Sequence, residues 1–168
     1  MAVDIVRPRP DVTAVLSSHI RTTVKSWHRQ VVAAPITYEM FSKWQIPSDD
    51  LTTAPPNSTF TLGKGTDAAP VRTAKELLKA SDVTNACVYN PMSGMFWHTN
   101  SNLVGKRLYY TFGLDRSVFK YRDPQTGEEH ESWDAVGWTC RTFDILKDKP
   151  LWHSVWTSGR RFSFGFML

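Results

Sequence analysis

Two hydrophobic periods divide the chain. In the first half, Val12, Leu16, Ile20, Val24, Trp27 and Val31 recur every three or four residues, which places them on one face of a helix over Asp11–Val32, with Asp11 positioned to cap it. Pro35 closes that pattern. Ile36, Met40, Phe41 and Trp44 then predict a short second helix, and Ala74, Leu77 and Leu78 predict a third over Thr73–Ser81. From about Cys87 the period changes to two. Leu108, Tyr110 and Phe112 share one face of a strand, and Phe119 and Tyr121 open the next. Asp123-Pro124-Gln125-Thr126-Gly127 carries the turn chemistry of a hairpin, so Glu128–Trp133 should return against Val118–Arg122. Val136–Leu146, Leu151–Thr157 and Arg160–Leu168 follow as strands. In the last, Phe162, Phe164, Phe166 and Leu168 alternate with Arg161, Ser163, Gly165 and Met167, the pattern of a half-buried strand.

Helices first and a strand meander second predict an α+β fold. Its N-terminal helices should pack on a curved antiparallel sheet, or open barrel, of about six strands in the C-terminal half. Residues 11–168 read as one domain. Residues 1–10, with Arg7-Pro8-Arg9-Pro10, read as an extended leader, because the prolines disfavour a helix there. Residues 45–70, rich in Ser, Thr, Asp, Pro and Gly, read as a long loop that includes Pro55-Pro56.

Composition adds one departure from the ordinary: seven Trp, nine Phe and five Tyr make up 12% of the chain, a surplus that fits a sheet core or a contact surface. The net charge of +4 is spread evenly, with ten Lys/Arg against eight Asp/Glu in each half, so there is no basic arm on which a nucleic-acid binder would rely. Nucleic acid is therefore not the favoured partner. The N-terminus has no secretory apolar core, and no stretch reaches the length of a membrane span, which predicts an intracellular, soluble protein.

The chemical motifs are sparse. Gly63-Lys64-Gly65-Thr66 lacks the spacing of a phosphate loop. The Arg160–Phe166 strand lacks the small residues of a base-stacking RNA-recognition strand. The five histidines show no short His/Cys spacing of a zinc site, so neither metal nor cofactor is expected. What remains are ionisable groups on strands. His98 and His153 each stand beside a Trp, and Asp144 shares a strand face with Trp138 and Cys140; an ionisable side chain on an apolar face has a perturbed pKa and is a candidate for acid–base work. Should strand pairing bring an imidazole to Cys87 or Cys140, a thiol nucleophile is conceivable.

These features predict, first, a non-catalytic structural or interaction subunit of a larger assembly, a virion component or an accessory subunit of an organellar or cytoskeletal complex. It would bind other protein subunits through Arg7, Pro8, Arg9, Pro10, Pro55 and Pro56. The second reading is a small-molecule enzyme or ligand carrier with a pocket between the curved sheet and the first helix, using His98, Asp144 and His153. The third is RNA binding through Arg107, Tyr109, Arg160 and Arg161.

Overall fold

In the computed structural model, which describes residues 2–24, 34–47, 59–100 and 103–168, the period-two half folds into two facing antiparallel sheets. The elements run β1 (Val3–Val6), α1 (Pro10–Thr23), α2 (Tyr38–Ser42), β2 (Thr59–Thr61), a 3₁₀ turn (Gly65–Asp67), α3 (Ala69–Leu78), β3 (Asp82–Tyr89), β4 (Ser93–His98), β5 (Gly105–Gly113), β6 (Ser117–Arg122), β7 (Glu129–Trp133), β8 (Gly137–Ile145), β9 (His153–Thr157) and β10 (Arg161–Met167). One sheet has six strands in the order β1-β8-β5-β10-β3-β2, and the other has four in the order β4-β9-β6-β7. Helices on a curved antiparallel sheet are thus present as expected, but the strands divide into two layers.

The expected hairpin forms with Val118 opposite Trp133 and Arg122 opposite Glu129. Helix α1 begins at Pro10, whose fixed φ and missing N–H suit a first helical turn; Asp11 stands inside that turn and its carboxylate accepts from the Val12 amide. The rest of the expected first helix, residues 25–32, lies outside the described residues, as do Pro55 and Pro56. The leader is tied to its own domain. Val3–Val6 pairs with β8, and Arg9 donates to the carbonyl of Leu77 at 2.8 Å.

Three apolar clusters follow from this layering. Val12, Leu16 and Ile20 of α1 and Val71 and Ala74 of α3 pack on one face of the large sheet, against Tyr110, Phe162, Phe164 and Phe166. A second cluster, including Phe119, Tyr121, Phe143 and Val155, lies between the sheets. A third seats Ile36 and Phe41 on Val118 and Trp156 at the outer face of the small sheet. The last strand is consequently covered on both faces, where alternation alone predicts one buried face.

The small sheet depends on one close approach. A Cβ at Gly94 would stand 2.2 Å from the Val155 carbonyl oxygen on β9. Gly94→Ala must therefore push β4 from β9, and we expect a loss of about 1–3 kcal/mol in denaturant unfolding. An unchanged midpoint would show that the two strands tolerate wider spacing.

Candidate functional site

Strands β4 and β9 pair from Ser93–Thr157 through Met95–Val155. The register then shifts by one residue, so that His98 stands opposite His153. Without that extra residue on β4, His98 would face position 152. A bulge of this kind re-aims a side chain, and here it sets two imidazoles against each other with ring centroids 4.1 Å apart. Both rings are oriented by the chain two residues upstream. His98 Nδ1 lies 2.7 Å from the Phe96 carbonyl and His153 Nδ1 lies 2.9 Å from the Leu151 carbonyl. A carbonyl only accepts, so each Nδ1 carries the proton and each Nε2 keeps a lone pair. Asn100, in the turn after β4, places its amide 3.1 Å from His153 Nε2. Phe119 stacks on His153 with centroids 5.2 Å apart.

Burial is the main reason both imidazoles stay neutral. It lowers the His98 pKa, and it drives that of His153 well below the ordinary value, helped by the neighbouring His98 and by Arg107.

The pair lines a partly open cavity of about 130 Å³ between the sheets. Its far side is cationic. Arg141 of β8 and Arg161 of β10 line it and are 1% and 2% exposed. Their counter-ion is Asp134, in the turn between β7 and β8: one carboxylate oxygen accepts from Arg141 Nη1 and the other from Arg161 Nε at 2.8 Å. Burial of Asp134 favours the protonated acid, but the charges of Arg161 and Arg141 outweigh it and hold the carboxyl below the usual range. A third buried cation, Arg107 of β5, reaches the Leu103 carbonyl through Nη2, while its Nε and Nη1 are enclosed without a hydrogen-bond partner.

The structure therefore brings together His98 and His153 but not Asp144, which is exposed near the end of β8 beside a separate shallow pocket with Asp123. This cavity lies between the two sheets; a separate, more open pocket lies where one was expected, between the end of the first helix at Ile20 and Val24 and the sheet at Phe112 and Phe162. Burial pushes the Cys87 thiol up to about 11 and that of Cys140 up to about 12, so neither provides a thiolate near neutral pH. Of the four residues expected to face RNA, Arg107 and Arg161 are buried and Tyr109 lines the cavity, while Arg160 is half-buried, so three of the four are not on a contact surface. Sequence reasoning missed Asn100, Asp134 and Arg141 and gave Arg107 and Arg161 to a surface. The signal was available in part, as an Arg at an alternating position on each of three aromatic-rich strands.

No protein-family model and no curated protein sequence matches the chain. Solved structures do. A prolyl hydroxylase from Trichoplax adhaerens, in complex with a hypoxia inducible factor oxygen degradation domain peptide fragment, is similar over 99% of this chain and 82% of its own, with a TM-score of 0.56 and 9% identity. A Pseudomonas putida prolyl-4-hydroxylase is similar over 99% of this chain and 86% of its own, with a TM-score of 0.51 and 13% identity. At these identities the likeness establishes a shared fold. The expectation of a non-catalytic structural or assembly subunit is corrected here: both of these structurally similar proteins are enzymes, and the inter-sheet space holds a cavity with paired imidazoles. Among the described residues no helix is long and apolar enough to cross a membrane.

Proposed function

We propose that this chain is a hydroxylase that uses a divalent transition metal held at His98 and His153 and a small carboxylate co-substrate held at the arginine side of the same cavity. The observation that carries this reading is the pair itself. Two neutral rings, each with Nδ1–H fixed on a backbone carbonyl, stand 4.1 Å apart with unprotonated Nε2 atoms; that of His153 accepts from the Asn100 amide, a contact a metal ion would replace. Metal-binding imidazoles are commonly held in this way, with the distal N–H on a carbonyl that sets tautomer and ring orientation.

The donor set fits a first-row ion with a preference for imidazole, with one departure. Two histidines and a carboxylate are the common set of non-haem iron oxygenases, and here the third position falls to Asn100, whose amide offers its oxygen after a half-turn about its terminal torsion. Among the described residues no three His, Cys, Asp or Glu side chains cluster for a metal, so the protein would contribute only neutral ligands. When bound, the metal would supply the activation of dioxygen that hydroxylation of a C–H bond requires.

The remaining residues bind and orient. Phe119 and Phe143 flank His153 and exclude water from one side of the pair. Hydroxylation places one oxygen atom of O₂ in the product, and the other must go to a two-electron donor. A 2-oxo dicarboxylic acid meets that need, since it takes the oxygen atom as the carboxylate next to its oxo group leaves as CO₂, giving a dicarboxylate one carbon shorter. Its remaining carboxylate matches Arg161, whose Nε is committed to Asp134 and whose terminal amino groups are the donors left to the cavity it lines. The peptide bound to the Trichoplax enzyme supports a polypeptide segment as the substrate class.

The test is a Co(II) titration of the full chain followed by visible absorption, paired with CO₂ release from 2-oxoglutarate in the presence of Fe(II) and O₂. One Co(II) per chain and metal-dependent CO₂ release are expected. A chain that binds no Co(II), or releases no CO₂ with Fe(II) present, overturns the reading.

A further inference from the structure

We infer that Asp134 sets the charge class of the ligand, by making the arginine side of the cavity a seat for one singly charged carboxylate and not for a dianionic group such as phosphate or phosphonate. The inference deepens the reading above and rests on it in one respect, that the cavity is a co-substrate site.

Two buried guanidiniums side by side would by themselves form a dianion site, since arginine pairs suit phosphate in charge and geometry. Here a carboxylate of the chain's own takes that place from behind. Asp134 does not line the cavity, yet both of its oxygens are engaged, one by Arg141 and the other by Arg161. Its position is fixed by the turn around it: the Asp134 amide donates to the Ser117 carbonyl at 2.8 Å, and the Ala135 amide donates to Thr139 Oγ1 at 2.8 Å. Arg141 has every nitrogen engaged, with Nε on Ser132 Oγ at 3.0 Å and Nη2 on the Ser132 carbonyl at 2.8 Å besides its bond to Asp134. Among the described residues, Arg161 has only its Nε engaged, on Asp134, and lines the cavity with both terminal amino groups as donors.

The charge balance follows. Two guanidiniums less one carboxylate leave a single positive charge, and the other groups lining this side, Tyr89, Thr111 and Ser163, are uncharged. A carboxylate neutralises that charge. A dianion leaves one negative charge in excess against the buried arginine wall and faces Asp134 across Arg161, an arrangement that like-charge repulsion disfavours. Arg107 is left out of this balance on geometry: it does not line the cavity, and it stands opposite Met167 on the β5–β10 pair, whereas Arg161 stands opposite Gly113, six residues along.

Glutarate and 4-phosphonobutyrate test this directly, since they differ only in whether one end is a carboxylate or a phosphonate. Calorimetric titration of the full wild-type chain in EDTA at pH 8 should show glutarate binding at least about tenfold more tightly than 4-phosphonobutyrate. Asp134→Asn keeps a hydrogen-bond acceptor and removes the negative charge, and it should shift the ratio by about tenfold or more toward the phosphonate. Arg161→Gln should abolish binding of both. Equal or inverted affinities in the wild type overturn the inference without recourse to any variant, as does failure of both ligands to bind. So does an unchanged ratio in an Asp134→Asn chain that still melts cooperatively. The metal plays no part in these titrations. A chain that selects glutarate but binds no Co(II) therefore loses the hydroxylase reading and keeps this one, and the converse pattern does the reverse.

Discussion

His153→Ala should bind Co(II) at least about 100-fold more weakly than the wild-type chain, because substitutions one layer further out from a metal already lower affinity by about 10–100-fold. His98→Ala should do the same. The double variant should lose little more than either single one, since each imidazole's contribution depends on its partner across the β4–β9 pair. His153 packs against Phe119 and Phe143, which also touch each other, so its removal leaves a small void, and cooperative melting is the control that separates a lost ligand from a lost fold. Undiminished Co(II) affinity in both single variants would show that the imidazole pair is not the centre.

Asp134→Ala should destabilise the chain by about 3–5 kcal/mol, the range for removing one partner of a buried ion pair. It strands Arg141 and Arg161 together as uncompensated buried cations. For a chain of this size the melting temperature should fall by about 10 °C. The same pairing fixes the acid limb of stability. Asp134 has a folded pKa below its unfolded one, so its contribution is present above the ordinary carboxyl value of about 3.9 and is lost as pH falls through the lowered folded value. The imidazoles act earlier. Held neutral in the fold, His98 and His153 bind protons more readily when unfolded, and stability should decline as pH drops below about 6.5. Calorimetry from pH 8 to pH 3 should show that first decline in the wild type and in Asp134→Asn alike, and the second, more acidic one in the wild type alone. Identical acid limbs would remove Asp134 as the cause.

The helices and strands were legible because their periods differ, and the hairpin over Val118–Trp133 because its turn residues have few alternatives. The second sheet and the cavity were not. Alternation says that a strand has two faces and does not say that the polar one is interior. Phe162, Phe164 and Phe166 identify a core, and Arg161 and Ser163 opposite them read as solvent-facing, yet they look into the space between the sheets. Arg141 and Arg161 are distant in sequence and meet at Asp134 only through the order β8-β5-β10. His98 and His153 could be singled out as ionisable residues beside tryptophans, but their meeting depends on a one-residue bulge that leaves no mark in the pattern. Asp144 was misplaced for a simpler reason: the β8 face that is buried under the helices at Trp138 and Cys140 emerges from that cover before position 144. Asp134 lies in a short turn, where a carboxylate ordinarily faces water.

The large sheet acts as a partition. On β5, β8 and β10, successive residues belong alternately to the helix-side packing, which decides whether the chain folds, and to the cavity wall, which decides what it holds. A lineage built on this chain could exchange Asn100 or Ser163, which take no part in the buried Asp134 ion pairs, and take up a new ligand while inheriting the same folding unit.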